Sequence, residues 1–349
     1  MNVPKLRFKE FNDNYLRLKY KDVLKIKSGK DQKQVECENG IYPILGTGGQ
    51  IGKTNSFLYD KPSVLIGRKG TINKPQYMET PFWTVDTLFY SHIYEPNIPK
   101  YLFYSFQSVN WKKYDESTGV PSLSSSTIEG VDCNIPSKEE QLKVANFLSL
   151  LDKKIELQSK KIEDLKLFKK GLLQKQYNYI KDKNLVELSY IANIYQPQTI
   201  SQNKLDNGKY FVFGANGIIG KYSRYNHKQK QITISCRGEN SGKVNITPEK
   251  CWITGNSMVL NTDNNYNVDK IYLKCVLDSQ NLRYLISGSG QPQITRNVIL
   301  KHKIPLLPIS EQKKFRNPFI KLDLKIHLEE TKVNKLLDIK KGLMQDMFV

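Results

Sequence analysis

The side chains best placed to do chemistry in this chain are cations set beside glycine turns. Arg68, Lys69 and Lys74 surround the turn in LIGRKGTINK, and Arg237 and Lys243 take matching places in ISCRGENSGK. Lys53 and Lys221 close a second pair of glycine loops, GTGGQIGK and GANGIIGK. A guanidinium makes bidentate contacts to guanine or phosphate, whereas an ammonium makes a point contact, mostly to phosphate. The same cations could equally be solvated, or could brace the fold against a carboxylate. Lys and Arg number 54 against 34 Asp and Glu, a net charge of +20 with a pI near 9.5. They are spread along the chain rather than gathered in a tail. Such a field attracts polyanions, of which nucleic acid is the commonest large one.

Familiar catalytic patterns are missing. A phosphate-binding loop of the form G-x-x-x-x-G-K-[ST] needs its first glycine where Thr47 stands; the second copy has Ala215 there and Tyr222 in place of the hydroxyl. Gly46, Gly48 and Gly52 leave one residue too many for a dinucleotide fingerprint, so these glycines read as turns between strands. His92, His227, His302 and His327 are isolated, with no Cys or Asp cluster at metal-ligand spacing. No G-x-S-x-G elbow occurs, nor the Asn/Asp-Pro-Pro-aromatic loop of amino-methyltransferases that act on a flipped base. No catalytic centre, bound cofactor or metal is expected. Cys37, Cys133, Cys236, Cys251 and Cys275 lack CxxC spacing and read as reduced. With no apolar signal region near the first residues and no long apolar run, a cytoplasmic protein is expected.

The elements that must position these cations repeat. Ser137 to Tyr177 contains no Pro, is rich in helix formers, and opens with Ser137 and Glu140 spaced as a capping box. Its apolar residues recur at Leu148, Leu151, Ile155, Ile162, Leu165 and Leu172, with Gln158 and Lys169 filling the heptad gaps. From Glu311 the pattern returns as Phe319, Leu322, Ile326, Val333, Leu336 and Leu343, with Glu329 and Lys340 at the polar positions. Gln141 matches Gln312, Asp152 matches Asp323, and KKGL recurs at the same phase. Before each helix lies a Gly-, Tyr- and β-branched-rich stretch, whose anchors also pair: Trp83 with Trp252, and TGVPSLS (118–124) with SGQPQIT (289–295). The expected organisation is a first globular domain over residues 1–136, a helix over 137–180, a second domain over 181–308 and a second helix over 309–349. The fold class is α+β: two similar domains with mixed β-sheet, separated by two long antiparallel coiled-coil helices in a pseudo-twofold internal repeat.

The seam charges favour one register for that helix pair. Facing Lys169 with Glu329 also sets Ile155 against Leu343, Ile162 against Leu336, Leu165 against Val333 and Leu172 against Ile326. A slide of one heptad would put Lys169 against Leu322, where it must escape the seam or be buried unpaired. If Phe168 and Ile339 took over the seam, packing alone would set the register. Pro318, where the first helix has Phe147, is expected to delay or kink the second helix.

Taken together, the chain resembles the specificity subunit of a type I restriction–modification system. The resemblance rests on the paired glycine loops, the turns with Arg68 and Arg237, the TGVPSLS and SGQPQIT segments, Ile135-Pro136 and Ile304-Pro305, and the helices ending KKGLLQ and KKGLMQ. It implies two target-recognition domains, each reading one half of a bipartite, asymmetric DNA sequence; the cations singled out above, Lys53, Arg68, Lys69, Lys74, Lys221, Arg237 and Lys243, are then the expected DNA contacts. It implies no catalysis by the chain itself. Two methyltransferase subunits would methylate adenine N6 with S-adenosylmethionine, and restriction subunits using ATP and Mg would join them. Two other readings stay open: a free-standing bipartite DNA-binding or scaffold protein, and an unrecognised DNA-modifying enzyme.

Overall fold

The computed structural model describes residues 3–215, 217–287 and 292–348. The chain divides into two compact units, Met1–Ser159 with Thr331–Val349, and Lys160–Glu330.

The first unit contains β1 (Leu16–Lys19), β2 (Leu24–Lys27), β3 (Tyr42–Gly46), β4 (Gly49–Thr54), β5 (Ser63–Gly67), β6 (Gln76–Met78), β7 (Trp83–Thr84), β8 (Leu88–Ile93) and β9 (Asp132–Ile135). They form an antiparallel sheet in the order β2-β8-β5-β6, a mixed sheet β4-β3-β7 and a two-stranded ladder β1-β9. Strand β5 is buried along its whole length, which is why its sequence, SVLIG, is almost continuously apolar. Successive side chains of a strand point to opposite faces. Accordingly, Val64 and Ile66 pack with the helix Pro99–Ser108 (Tyr101, Leu102, Phe106), while Leu65 packs with Ile44, Leu45 and Phe82 of the other layer.

The second unit repeats the plan with β10 (Leu185–Glu187), β11 (Asn193–Tyr195), β12 (Tyr210–Gly214), β13 (Gly217–Tyr222), β14 (Ile232–Ser235), β15 (Val244–Ile246), β16 (Trp252–Ile253), β17 (Ser257–Asn261) and β18 (Lys303–Pro305). Its sheets are β11-β17-β14-β15, β13-β12-β16 and β10-β18, strand for strand the order of the first. The parallel pair also recurs, β3 with β7 and β12 with β16. The fold is α+β, with mixed sheets in both copies.

Two long helices, Lys138–Ile180 and Ile309–Met347, complete the fold. Each begins in one unit and ends in the other. In both units a glutamine fastens the domain to its helix. Gln141 Oε1 accepts from Ile98 N at 2.9 Å, and its Nε2 donates to Pro136 O at 3.1 Å. Gln312 does the same with Asp269 N at 2.8 Å and Leu307 O at 2.7 Å. A tyrosine assists each time: Tyr101 Oη donates to Asn134 O at 3.0 Å and Tyr272 Oη to Pro305 O at 2.8 Å. These bonds satisfy groups at the start of the domain helices Pro99–Ser108 and Lys270–Ser279, whose first amides have no intrahelical partner.

Three expectations need correction. Pro318 does not delay the second long helix, which starts at Ile309 and carries the proline in its interior. The capping box at Ser137 is half formed. Ser137 Oγ accepts from Glu140 N at 3.3 Å, but the Glu140 carboxylate turns away to a fork from Arg7 (2.7 and 2.8 Å) and to Tyr15 Oη (2.8 Å).

The third correction concerns the register, which is displaced by about one heptad from the one expected. In the first unit Asp152 pairs with Lys340 at 2.6 Å. In the second, Lys169 pairs with Asp323 at 2.5 Å, and Glu329 is met by Lys161 at 2.9 Å rather than by Lys169. The supposed cost of this register does not arise. Lys169 extends past the apolar seam to a carboxylate beside it, and Lys161 reaches the buried Glu329 from an exposed flank, as long cationic side chains do. Ile162 and Ile326 are buried with Glu329, while Ile155, Leu165, Leu172, Val333, Leu336 and Leu343 are half-buried. Leu343 packs on the first unit's core and Leu172 on the second's. Phe168 and Ile339 stay 59% and 52% exposed, so they do not form the seam.

Candidate nucleic-acid interface

In each unit three chain segments meet at one edge, and the glycines explain how they fit. In the first, the β3–β4 hairpin closes through Gly46 opposite Gly49, whose φ of +116° lies where only glycine is comfortable. The turn after β5 bends at Gly70, φ +87°, and a Cβ placed there would lie 3.9 Å from Thr47 Oγ1 at the hairpin tip. Gln76 Nε2 ties the tip down by donating to Gly46 O at 2.8 Å. The segment TGVPSLS then runs along the turn: Gly70 N donates to Pro121 O at 2.8 Å, and Leu123 N to Arg68 O at 2.9 Å. Lys69 and Ser122 therefore face each other as bridge partners.

The second unit builds the same edge. Gly214 pairs with Gly217, φ +102°, and Ser235 Oγ donates to Ala215 O at the tip. Gly238 N donates to Pro292 O at 3.1 Å, Ile294 N donates to Cys236 O at 3.0 Å, and Arg237 is the bridge partner of Gln293. Asn216 of the glycine loop and Ser289 to Gln291 of SGQPQIT lie outside the described residues.

This geometry corrects two pairings, because the shift that separates Arg68 from Arg237 also sets Lys243 opposite Pro75 and not Lys74. Arg68 and Arg237 are not equivalent. The bridge and the positive-φ glycines align Arg237 with Lys69 and Gly238 with Gly70, which puts Cys236, a buried thiol, at the place of Arg68. Matching arginine to arginine by letter slips the frame by one residue, whereas the backbone aligns the glycines that must take φ > 0. The two connections, residues 68–75 and 236–243, have the same length.

All seven expected DNA-contacting cations are exposed: Lys53, Arg68, Lys69, Lys74, Lys221, Arg237 and Lys243. They do not form one cluster. Arg68 and Lys69 line a concavity of about 380 Å³ with Ser28, Glu116, Ser122 and Ser124. Lys74 faces a different one, with Gln107, Lys340 and Lys341, and Lys243 lies with Asp278 and Arg283. Lys53 sits along its hairpin beside Glu36 and Glu38, and Lys221 lies 5.8 Å from the centre of the Phe211 ring. Trp83 and Trp252 are half-buried: Trp83 Nε1 donates to Lys30 O at 3.0 Å, and Trp252 meets Tyr222 edge-on.

Glu116, Ser122 and Gln293 were not singled out by the sequence, although TGVPSLS and SGQPQIT, which carry the last two, were. Glu116 is held ionised, its carboxyl kept below the usual range by the Thr127 and Ser124 hydroxyls. Asp115 is lowered likewise by the Ser122 and Ser117 amides and the Ser117 hydroxyl. The edge thus offers both hydrogen-bond donors and fixed acceptors, the two chemistries that base edges require. Among the described residues no group of three or more His, Cys, Asp and Glu could hold a metal ion, and no helix is long and apolar enough to cross a membrane.

A duplicated α+β unit whose edge presents both cations and fixed acceptors, with a long helix in each copy, defines a class of paired reader domains. The chain belongs to the type I restriction modification DNA specificity domain family, whose model matches it twice, over residues 12–167 and 180–338. It is 24% identical over 291 residues to the type I restriction enzyme MjaVIII specificity subunit of Methanocaldococcus jannaschii, a match covering 70% of this chain and 68% of that one. It is 27% identical over 284 residues to the putative type I restriction enzyme MjaX specificity subunit of the same organism, covering 72% and 66%. Its fold is similar to the crystal structure of the type I restriction-modification S subunit from M. genitalium, with a TM-score of 0.68 and 19% identity over 99% of each chain.

Proposed function

We propose that the chain is the DNA-reading subunit of a type I restriction–modification complex, each unit reading one half of a bipartite, asymmetric duplex target. The observation that carries this reading is the duplicated edge: one backbone frame, closed by the same glycine and proline bonds, presents Lys69 and Ser122 in one copy and Arg237 and Gln293 in the other. A scaffold that stays constant while its outward side chains change suits two readers of two different sequences. The net charge of +20 supplies the sequence-independent attraction to phosphate on which such reading is superimposed.

In this reading the chain contributes recognition and its partners contribute chemistry. It directs two adenine-N6 methyltransferase subunits, and restriction subunits with them, to the site. S-adenosylmethionine, ATP and Mg are bound by those partners and not by this chain, and the complex works in the cytoplasm. The test is to express the chain with its methyltransferase partner and map methylated adenines across the genome. The expected result is one interrupted, asymmetric motif that disappears when this chain is omitted. Methylation or cleavage by the purified chain alone, given S-adenosylmethionine or a divalent metal, would overturn the division of labour.

A further inference from the structure

We infer that the bridge partners Arg237 and Gln293 read two neighbouring purines in the half-site of the second unit, and that the matching pair Lys69 and Ser122, with Glu116 beside it, reads a different step in the other. This deepens the proposed function and rests on it. Residues directly opposite across an antiparallel bridge project to the same face, with Cβ atoms about 5 Å apart. Neighbouring base pairs are stacked about 3.4 Å apart, so one such pair of side chains spans one step. Arg237 and Gln293 are both exposed, and their backbone is anchored on either side by Gly238 N to Pro292 O and Ile294 N to Cys236 O.

Side-chain chemistry then assigns the bases. A guanidinium fork matches guanine O6 and N7, and a glutamine amide matches adenine N6 and N7, in the major groove. A primary amide carries no charge, so phosphate attraction does not account for Gln293 opposite the arginine. In the first unit Lys69 and Ser122 each offer a single-point contact. Glu116, whose amide donates to Ser122 O at 3.0 Å, adds a fixed anionic acceptor suited to the cytosine N4 amino group. The second unit has Ser287 at that place, with its amide on Gln293 O at 2.9 Å, so the acceptor is specific to the first reader.

The test uses the full-length chain in complex with its methyltransferase partner, selecting bound duplexes from a randomised library. Wild type should yield a bipartite motif with a guanine–adenine step in one half. Arg237→Lys with Gln293→Ser should relax preference at two adjacent positions of that half, by on the order of ten- to a hundred-fold per position, and leave the other half unchanged. Gln293→Glu should move the preferred base at one position from adenine to cytosine, a gained preference that no folding defect can produce. Glu116→Gln should alter only the opposite half. Uniform weakening on all sequences, or an unchanged motif, overturns the inference while the bipartite reading stands. A wild-type selection with no bipartite motif overturns both.

Discussion

Asp152 and Lys340 form an ion pair at 2.6 Å, and their counterparts in the repeat, Asp323 and Lys169, form another at 2.5 Å. An antiparallel pair built from two like helices makes each cross-helix contact twice, so the one substitution that breaks the pair in one unit has a mirror in the other. Lys340 is also 5.3 Å from the centre of the Tyr104 ring, and Tyr104 Oη donates to Asp152 at 2.8 Å. Burial first, then the Asp152 carboxylate, push the Tyr104 phenol above its usual range, so it stays a donor.

These pairs are partly exposed, so each should contribute about 0.5–1 kcal/mol. A double-mutant cycle of Asp152→Asn and Lys340→Met, followed by urea unfolding, should give a coupling of that size, and Asp323→Asn with Lys169→Met should give a similar one. Coupling indistinguishable from zero in both cycles would mean that apolar packing alone holds the register.

The glutamine clamps should matter more. Replacing Gln141 by Leu strands the part-buried Ile98 N and the buried Pro136 O, and Gln312→Leu strands the part-buried Asp269 N and the buried Leu307 O. Each change should cost about 1–3 kcal/mol, because a buried polar group left without its partner loses water and gains nothing. A loss below about 0.5 kcal/mol on urea titration would show that solvent reaches those groups and the clamp is dispensable.

The repeat, the seam and the α+β class were legible because period and composition survive divergence. Gln141 and Gln312 even stood out as a matched pair, although their bonding partners, Ile98 N and Asp269 N, are backbone groups that no side-chain pattern reveals. The register was not legible. Two alignments of the same helices satisfy the charges, one using the seam residues Lys169 and Glu329 and one using Asp323 and Lys161 beside the seam. The reach of lysine is what lets the second alignment satisfy its charges. The Lys69–Arg237 equivalence was hidden for a related reason. It is fixed by which glycine takes positive φ and which amide donates to the Pro121 or Pro292 carbonyl, and identical letters one position away mislead.

Acid should destabilise the second unit through its two buried histidines. His227 bonds Tyr195 Oη at 2.8 Å and Asn226 Oδ1 at 2.6 Å, and His302 bonds Gln280 Oε1 at 2.8 Å and Tyr284 Oη at 3.1 Å. Burial lowers the pKa of both below the ordinary value of 6.5. The unfolded chain therefore binds protons that the folded one resists, and stability present above pH 6.5 is lost as pH falls through the folded values. The depressed carboxylates Asp115, Glu116 and Asp132 act in the same direction but only nearer pH 4, so the two effects separate. Hydrogen exchange between about pH 7.5 and 5.5 should show protection falling around β11 and β18 before the first unit responds, because both histidines lie in the second unit. His302→Gln should flatten part of that loss. A pH response that is equal in both units would refute the assignment.

Lys53 and Lys221 close the glycine loops, and both are exposed. If each meets a phosphate, the logarithm of affinity against the logarithm of salt should lose about one unit of slope on substitution by Gln, without any change in base preference. Their surroundings predict that the two will not be equal. Lys53 shares its concavity with Glu36 and Glu38, whose negative charges oppose a phosphate there. Lys221 instead lies near the Phe211 ring, with its backbone bridged to Asp206, whose carboxylate accepts from the Gly208 and Ser223 amides. Lys221→Gln should therefore take close to the full unit of slope, and Lys53→Gln distinctly less. Binding measured between about 50 and 200 mM salt on the selected target and on a scrambled duplex decides it. The slopes should fall by the same amount on both duplexes. A change confined to the selected target would make these lysines base readers and remove them from the phosphate-contacting set.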